Sequence, residues 1–423
     1  MTKTAFYYNP KFRSALYQLA LLALVIWLVV EFAINARTNL EAQGVRFGLR
    51  FLDDPAGFGV SQALIPYSEQ NTYLRVFFVG LLNTLLVSVL GIIFATILGF
   101  AIGLARLSPN WLLARVAGGY VELVRNLPLL FQILFWYLAI FLALPLPRQS
   151  LTVGLQPIFL YVADGFAFLE HLGVPAGIAA WWRGLADWVG PPAVYLNSRG
   201  LIMPRPVFGE GIEVVIAAVV LALIAVLAMR RWARRRQDRT GAAFPVWWAT
   251  LALLVGLPAL SILVVGSPVS LNMPTLRGFN FVGGMQVIPE FTALLIALTT
   301  YTAAFIAEVV RAGVLAVPKG QTEAAMALGL PRNRTLRLIV VPQAMRVIIP
   351  PLTNQYLNLT KNSTLATAIG YPDLVAVFAG TTLNQTHQAI EIIAITMAVY
   401  LAISLFTSLA MNLYNARTRL SER

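Results

Sequence analysis

Long apolar runs with almost no charge recur along the whole chain, and they restrict its fold more than any other feature of the sequence. Eight runs have this character, at residues 16–34, 75–105, 118–143, 211–229, 244–265, 291–315, 345–369 and 389–414. Each is long enough to cross the hydrocarbon core of a bilayer as a helix. A helix pairs its own backbone groups, as a segment surrounded by lipid must. The runs therefore predict an all-α polytopic membrane protein with about eight transmembrane helices.

The composition agrees with this prediction, because 58% of the 423 residues are hydrophobic and only 12% are charged. Soluble domains have roughly 45–50% apolar and about 25% charged residues. The net charge of +13 fits basic loops on the cytoplasmic side of a membrane. We therefore expect membrane lipid around the chain and no nucleic-acid partner.

The basic residues also predict an orientation. With the arginine-rich segment 230–236 placed inside, the inside segments carry 20 lysines and arginines and the outside segments carry 8. Because cytoplasmic loops are the richer ones, both termini are predicted to be cytoplasmic. The first run is too long for the core of a signal peptide and is expected to be a retained span.

Several classes of site are excluded by residues that the sequence lacks. There is no cysteine, so there are no disulfides and no thiol nucleophile, and two histidines, His171 and His387, cannot form a His-rich metal site alone. None of the four lysines follows a glycine, so no Gly-Lys-Ser/Thr phosphate loop is present. If ATP drives this protein, another chain must bind it. No plausible constellation for a membrane-embedded enzyme remains.

The segment 144–210 interrupts the transmembrane pattern with many Pro, Gly and Trp residues. Its apolar part, 151–169, contains Pro157 and Asp164. We interpret this part as an interfacial or extramembrane helix, with a further span as the alternative. The tryptophans near 181–188 are expected to lie at the membrane interface.

The loop after the sixth run carries the most specific pattern. A short helix over 321–330 is predicted there, because the segment contains good helix formers and Pro331 disfavours helix at the preceding residue. Small residues crowd this helix, and Glu323 lies near its start, where the helix dipole favours a negative charge. Such a helix suits docking to a separate motor protein, and an ordinary connecting loop is the alternative.

The same loop resembles the EAA loop of ABC-importer permeases. The matching residues are Glu323-Ala324-Ala325, Gly329, Ile339 and Val341-Pro342, with valine where the family has leucine. Four other stretches resemble polar amino acid permeases of this type: Gly80–Leu85, Val124–Gln132, Tyr301–Gly313 and Leu359–Leu365. The extra first span and the interrupted core are similar to the larger subunits of general L-amino acid permeases of Gram-negative bacteria.

The resemblance implies a type I importer fold in the bacterial inner membrane and a permease subunit that takes up L-amino acids, of broad or polar specificity, from the periplasm. It implies four kinds of partner: a second homologous permease subunit, two cytoplasmic ABC ATPase subunits, a periplasmic amino-acid-binding protein and the L-amino acid itself. The chain would bind no cofactor, since ATP and Mg²⁺ belong to the ATPase. The coupling residues would be Gln321, Glu323, Ala324, Ala325, Leu328, Gly329 and Pro331.

Four domains follow from the runs and the resemblance. Residues 1–74 form an extra N-terminal transmembrane helix with a periplasmic segment, and 75–143 form the first part of the permease core. Residues 144–288 are an inserted periplasmic loop with two extra spans. Residues 289–423 form the second part of the core, with the coupling loop at 317–342.

Polar residues inside the predicted spans are candidates for the substrate pathway, because charged side chains in a membrane face protein or water. The candidates are Glu308, Asn358, Lys361, Asn362, Ser363, Arg125 and Gln132. Glu308 and Arg311 lie three apart and form either a structural pair or part of the pathway. Arg125 is alternatively an anchor at the edge of a span. Pro350-Pro351 interrupts helical hydrogen bonding in the seventh run, which is predicted either to line a water-accessible path or to be a broken helix.

Broken helices with polar centres also occur in secondary transporters driven by an ion gradient. A secondary amino acid transporter is therefore the alternative function. It predicts internal repeats, which the sequence does not show, and it leaves the loop at 317–342 unexplained.

Overall fold

The computed structural model describes residues 10–42, 48–153, 155–169, 171, 175–189, 194–242, 244–266 and 268–418. The chain forms two compact units. One consists of Met1–Tyr137 with Ala293–Arg423, and the other of Leu138–Thr292. The second unit is thus an insertion in the sequence of the first.

Helices make up the first unit almost entirely. They are α1 (Pro10–Ala42), α2 (Tyr73–Ala105), α3 (Trp111–Asn126), α4 (Leu129–Leu134), α9 (Pro289–Leu315), α10 (Lys319–Ala327), α11 (Arg332–Thr335), α12 (Val341–Asn362), α13 (Leu383–Thr386) and α14 (Ala389–Thr418). Wider π-helical turns occur at Phe135–Phe141, Leu336–Val340 and Val375–Thr382, and a 3₁₀ segment occurs at Ser363–Ile369.

The second unit contains the helices α5 (Leu155–Leu169), α6 (Ala176–Val189), α7 (Ile212–Thr240) and α8 (Val246–Val265). Its strands are β1 (Leu151–Val153), β2 (Val194–Asn197), β3 (Gly200–Met203), β4 (Arg205–Phe208), β5 (Val269–Asn272), β6 (Thr275–Arg277), β7 (Asn280–Val282) and β8 (Met285–Val287). The strands form an antiparallel sheet in the order β1-β2-β3-β8 and two ribbons, β4-β5 and β6-β7. The sequence analysis did not predict these short strands.

Seven helices in the described part of the chain are long and apolar enough to span a membrane, or eight if the bent pair α3–α4 counts as one span. The prediction of about eight spans is confirmed in this sense. α5 has 15 residues and is not among them. It begins after β1, so the predicted apolar helix starts later than residue 151.

The predicted span over 118–143 corresponds to a bent pair of helices. α3 and α4 meet at an angle of 105°. The cause is Pro128, which disfavours helical geometry at the residue before it. Leu127 accordingly has extended backbone angles, with φ −94° and ψ 132°.

The expectation of a broken helix at Pro350-Pro351 is wrong, and its alternative, a water-accessible path along this run, stays a prediction. α12 runs through both prolines and ends at Asn362. The helical geometry changes after Asn362, where the 3₁₀ segment Ser363–Ile369 begins. Proline is tolerated inside membrane helices because neighbouring helices and side chains supply new hydrogen-bond partners for the backbone groups that it leaves unpaired.

The core of the first unit depends on close approach of α2 to α9. A Cβ atom at Gly99 would lie 2.6 Å from the Cβ of Ile306, and one at Gly103 would lie 2.8 Å from the carbonyl oxygen of Ala307. Glycines four residues apart form one small face of a helix, which lets another backbone approach closely. The two helices therefore pack through this glycine face.

We expect Gly99→Ala to destabilise the protein by about 1–3 kcal/mol, because overpacking a tight contact forces side chains or backbone to shift. Gly118→Ala in α3 is the matched control, since nothing lies within 4 Å of its added Cβ. Thermal unfolding of the purified chain in detergent measures the difference. Equal midpoints for the two variants would contradict the close approach.

Candidate functional site

α10 is a short helix between α9 and α11, and most of its residues are exposed. Ala325 is 2% exposed and packs inward. Glu323, Ala324 and Leu328 are exposed, and Leu328 retains 82% of its surface. α10 and its C-cap therefore present a carboxylate and a large apolar side chain to their surroundings.

Gly329 ends α10 by a specific backbone motif. Its N–H donates to the carbonyl of Met326 (2.9 Å), and the N–H of Leu330 donates to that of Ala325 (3.1 Å). These are the two hydrogen bonds of a Schellman C-cap, in which the capping residue takes a left-handed conformation. Gly329 has φ +74° accordingly. The helix therefore ends at Ala327, earlier than the predicted residue 330, and Pro331 precedes α11 instead.

We expect Gly329→Ala to destabilise the end of α10 by about 1 kcal/mol, because an L side chain disfavours the left-handed conformation. Nothing lies within 4 Å of the added Cβ, so the effect is one of backbone geometry alone. Hydrogen exchange at the amides of 326–330 should accelerate, while exchange in α9 should not change. Unchanged protection at these amides would argue against the cap.

The predicted coupling residues fall into two groups. Gln321, Glu323, Ala324, Leu328, Gly329 and Pro331 are exposed. Ala325 is buried, and its carbonyl oxygen belongs to the cap. Gln321 also lies near α12, where Gln343 Nε2 is 3.5 Å from Gln321 Oε1. Ala325 therefore shapes the loop, and the other six are available for contact.

Glu308 lies in an ionic cluster where α2 ends against α9. Its carboxylate pairs with Arg311 of the same helix (2.6 Å) and with Arg106, which directly follows α2. The three side chains are 16–32% exposed. The pairing with Arg311 follows from their spacing, but the partner Arg106 is 202 positions away and was missed. The cluster lies just beyond the contact of Gly103 with Val310.

Three further pathway candidates have structural contacts. Gln132 donates to the carbonyls of Val124 (3.0 Å) and Leu127 (3.1 Å), across the bend between α3 and α4. The Arg125 guanidinium lies 4.9 Å from the centre of the Phe305 ring. Ser363 is buried and donates to the carbonyl of Thr360 (2.7 Å). Arg125 and Gln132 thus join separate helical segments, and Ser363 bonds within its own turn.

The remaining candidates share one polar face near the end of α12. Asn358 and Lys361 are exposed, Asn362 is half-buried, and Asn354 continues the same face one turn earlier. Residues at i, i+4 and i+7 lie on one side of a helix. Because polar side chains in a spanning helix do not face lipid, this face adjoins water or another subunit.

A buried polar cluster that sequence reasoning missed joins α2 to the turn after α12. The Asn83 amide donates to the carbonyl of Pro372 (2.8 Å), and Thr84 Oγ1 accepts from the backbone N–H of Leu374 (3.0 Å). Asp373 lies in this turn, between the spanning segments 332–369 and 389–416. Burial raises the pKa of its carboxyl to about 7, although the backbone N–H of Ala376 donates to it. No periodicity marks these residues as neighbours.

Comparison with known proteins decides the family. Residues 240–420 match the model of the family described as binding-protein-dependent transport system inner membrane component. The chain is 48% identical to the putative amino-acid ABC transporter permease protein YhdX of Escherichia coli, over 98% of this chain and 96% of that protein. It is 47% identical to the general L-amino acid transport system permease protein AapQ of Rhizobium johnstonii, over 98% and 94%. The chain belongs to the family of amino-acid ABC transporter permeases.

A third relative carries a name that refers to four specific amino acids. The glutamate/glutamine/aspartate/asparagine transport system permease protein BztB of Rhodobacter capsulatus is 43% identical, over 98% of this chain and 96% of its own length. The permease assignment confirms the predicted importer class and removes the secondary transporter from consideration.

As a permease of this family, the chain is an inner-membrane component of binding-protein-dependent transport. It is a transport subunit, and ATP hydrolysis takes place on a separate subunit. A substrate-binding protein and an ATPase are therefore partners, as predicted. α10 lies within the matched residues and is exposed.

Proposed function

We propose that this permease passes L-amino acids, of broad or polar specificity, from the periplasm to the cytoplasm. The observation that carries the proposal is the polar face of α12 formed by Asn354, Asn358 and Lys361. Amide groups offer both donors and acceptors, and a lysine attracts a carboxylate. The names of the relatives, which refer to general L-amino acids and to acidic amino acids and their amides, support the same substrate class.

The pathway is assigned to Asn358, Lys361 and Asn362. The other four candidates, Glu308, Ser363, Arg125 and Gln132, make the intramolecular contacts described above and are secondary to these three. In this proposal Lys361 attracts the carboxylate of the passing amino acid, and the neighbouring amides orient it.

The same polar face supports a second homologous permease subunit as a partner. In the described part of this chain no side chain forms a hydrogen bond with the side chains of Asn358 and Lys361, and both are exposed. A spanning helix with such a face needs water or protein beside it. Two permease subunits with two ATPases and one binding protein would enclose a shared aqueous path between them.

The coupling role is assigned to Gln321, Glu323, Ala324, Leu328, Gly329 and Pro331, with Ala325 supporting the loop from within. No cofactor is assigned to this chain, since its sequence has no phosphate loop. ATP and Mg²⁺ would be held by the ATPase, whose closure would move α10 and switch the path between its two openings.

Uptake of a panel of labelled L-amino acids, in cells with and without this chain, tests the substrate class. Loss of uptake across acidic, basic and neutral members is expected when redundant systems are removed. Unchanged uptake of every amino acid in the panel would overturn the amino acid assignment. Loss of uptake for only one group would restrict the proposed substrates to that group.

A lysine variant tests the pathway separately. We expect Lys361→Gln to reduce uptake at least tenfold, because it removes the charge that attracts the substrate carboxylate, and Lys361→Arg to retain more of it. Arg13→Gln is the control, since it removes one positive charge from an exposed position of α1, outside α10 and α12. Equal uptake by the two glutamine variants would move the pathway away from α12.

A further inference from the structure

α7 is longer than a membrane crossing requires. Its apolar part, residues 212–229, covers about 27 Å at 1.5 Å per residue, which is close to the thickness of the hydrocarbon core. The same helix continues without a break through residues 230–240. These eleven residues add about 16 Å, so the end of α7 extends through the headgroup layer.

One face of α7 is occupied by its neighbour, and the arginines lie on the rest. Ala222, Val226 and Ala233 are buried and lie at four- and seven-residue spacing, on the face that packs within the α7–α8 hairpin. Ala233 shows that this packing extends into the basic segment. The exposed arginines occupy the remaining positions: Arg230, Arg231, Arg234, Arg235, Arg236 and Arg239.

Within the described part of the chain, this positive charge has no ion-pair partner. Asp238 is the only acidic residue between 230 and 240. Among the residues that the structure describes, no carboxylate oxygen lies within 4 Å of a nitrogen of these six arginines. Arginines four apart, such as Arg230 with Arg234 and Arg231 with Arg235, repel each other on a helix. An anionic ligand outside the chain would relieve this repulsion.

Aromatic residues place the arginines at the depth of lipid headgroups. The Arg236 guanidinium lies 5.4 Å from the centre of the Trp232 ring, and the ring of Phe244 contacts Trp232 edge-on at 5.4 Å. The first turn of α8 contains Trp247 and Trp248, which are 72% and 68% exposed. Tryptophan is enriched at membrane–water interfaces. This position favours a membrane lipid over a nucleic acid or a soluble acidic protein.

We propose that the end of α7, together with Trp232, Trp247 and Trp248, forms a binding site for the phosphate groups of anionic phospholipids. Guanidinium groups donate paired hydrogen bonds to phosphate oxygens, and basic clusters beside a transmembrane helix attract anionic leaflets. The site anchors the α7–α8 hairpin by its end. This inference concerns a surface apart from α10 and α12, and it does not depend on which solute the permease carries.

A charge-removal variant of the full chain tests the site. Arg234→Gln/Arg235→Gln/Arg236→Gln is compared with Arg332→Gln/Arg334→Gln/Arg337→Gln, which removes the same charge from exposed positions of another predicted cytoplasmic loop. Phosphatidylglycerol retained per chain, measured by native mass spectrometry after purification from bacterial membranes, should fall at least threefold in the first variant only. An equal fall in both, or no fall, would overturn the proposal.

A second measurement leaves the arginines in place, so it stays informative if the first variant folds or inserts wrongly. The chain has no cysteine, and Thr240→Cys therefore places a single fluorescent donor at the end of α7. The labelled chain is reconstituted in phosphatidylcholine bilayers that contain a small fraction of headgroup-labelled phosphatidylglycerol or headgroup-labelled phosphatidylcholine. At low salt, energy transfer to labelled phosphatidylglycerol should be at least twofold greater than transfer to labelled phosphatidylcholine. In 0.5 M salt, the two transfer efficiencies should become similar. Equal transfer to both lipids at low salt would refute the site.

Discussion

Replacing Glu323 with arginine is expected to abolish ATP-driven uptake, with a loss of at least a hundredfold, while the chain remains folded in the membrane. Glu323 is exposed on α10, as are Ala324 and, directly after the helix, Leu328. Reversal of a charge at a docking surface juxtaposes like charges or leaves a partner charge unpaired, which disfavours the complex strongly. Uptake of a labelled amino acid and co-purification of the ATPase measure the two consequences.

The control for this variant is Glu210→Arg, which makes the same charge reversal at an exposed position just before α7. It should retain uptake and ATPase assembly within about twofold. If Glu323→Arg retained both as well, α10 would not be the coupling element. Glu323→Gln should lie between the two, because it removes the charge without introducing repulsion.

Replacing Glu308 with glutamine is expected to destabilise the first unit by about 2 kcal/mol. The substitution leaves Arg106 and Arg311 close together without their shared carboxylate, and loss of hydrogen bonds between charged groups that are only partly exposed has an effect of this order. Denaturation of the purified chain in detergent measures the change in the free energy of unfolding. Glu122→Gln in α3 is the control, since Glu122 is exposed.

The double variant Arg106→Glu/Glu308→Arg separates pairing from packing. If the ion pair carries the effect, the exchanged pair should recover more than half of the stability lost in Arg106→Glu, as expected for coupled residues. Additive losses in the double variant would show that each side chain acts by itself. Additive losses would also make Glu308 a stronger candidate for the substrate pathway, because pairing would no longer account for its position.

The sequence predicted what depends on local pattern. Apolar runs located the membrane helices, because length and low charge suffice to identify a span. The spacing of Glu308 and Arg311 predicted their pairing, and the EAA-like residues located α10. Prolines were less informative: Pro128 produces a bend of 105°, whereas Pro350 and Pro351 lie inside a continuous helix. The difference depends on neighbouring helices, which a local pattern does not contain.

Contacts between distant parts of the chain could not be predicted. Arg106 reaches Glu308 across 202 positions, and Asn83 donates to the carbonyl of Pro372 across 289. The strands of the second unit have three or four residues each, too short for alternation to be visible. The candidate pathway residues were chosen from the sequence because they are polar and lie in predicted spans. Only the structure showed that Asn358 and Lys361 are exposed, whereas Gln132 and Ser363 form hydrogen bonds within the chain.

The insertion of the second unit between α4 and α9 has a consequence for synthesis. Arg106 leaves the ribosome 202 residues before Glu308, which at 5–20 residues per second corresponds to roughly 10–40 s. During this interval the glycine face at Gly99 and Gly103 has no α9 to pack against, and Arg106 has no Glu308. Nascent chains released before residue 289 should therefore be degraded by membrane proteases much faster than chains released after α9.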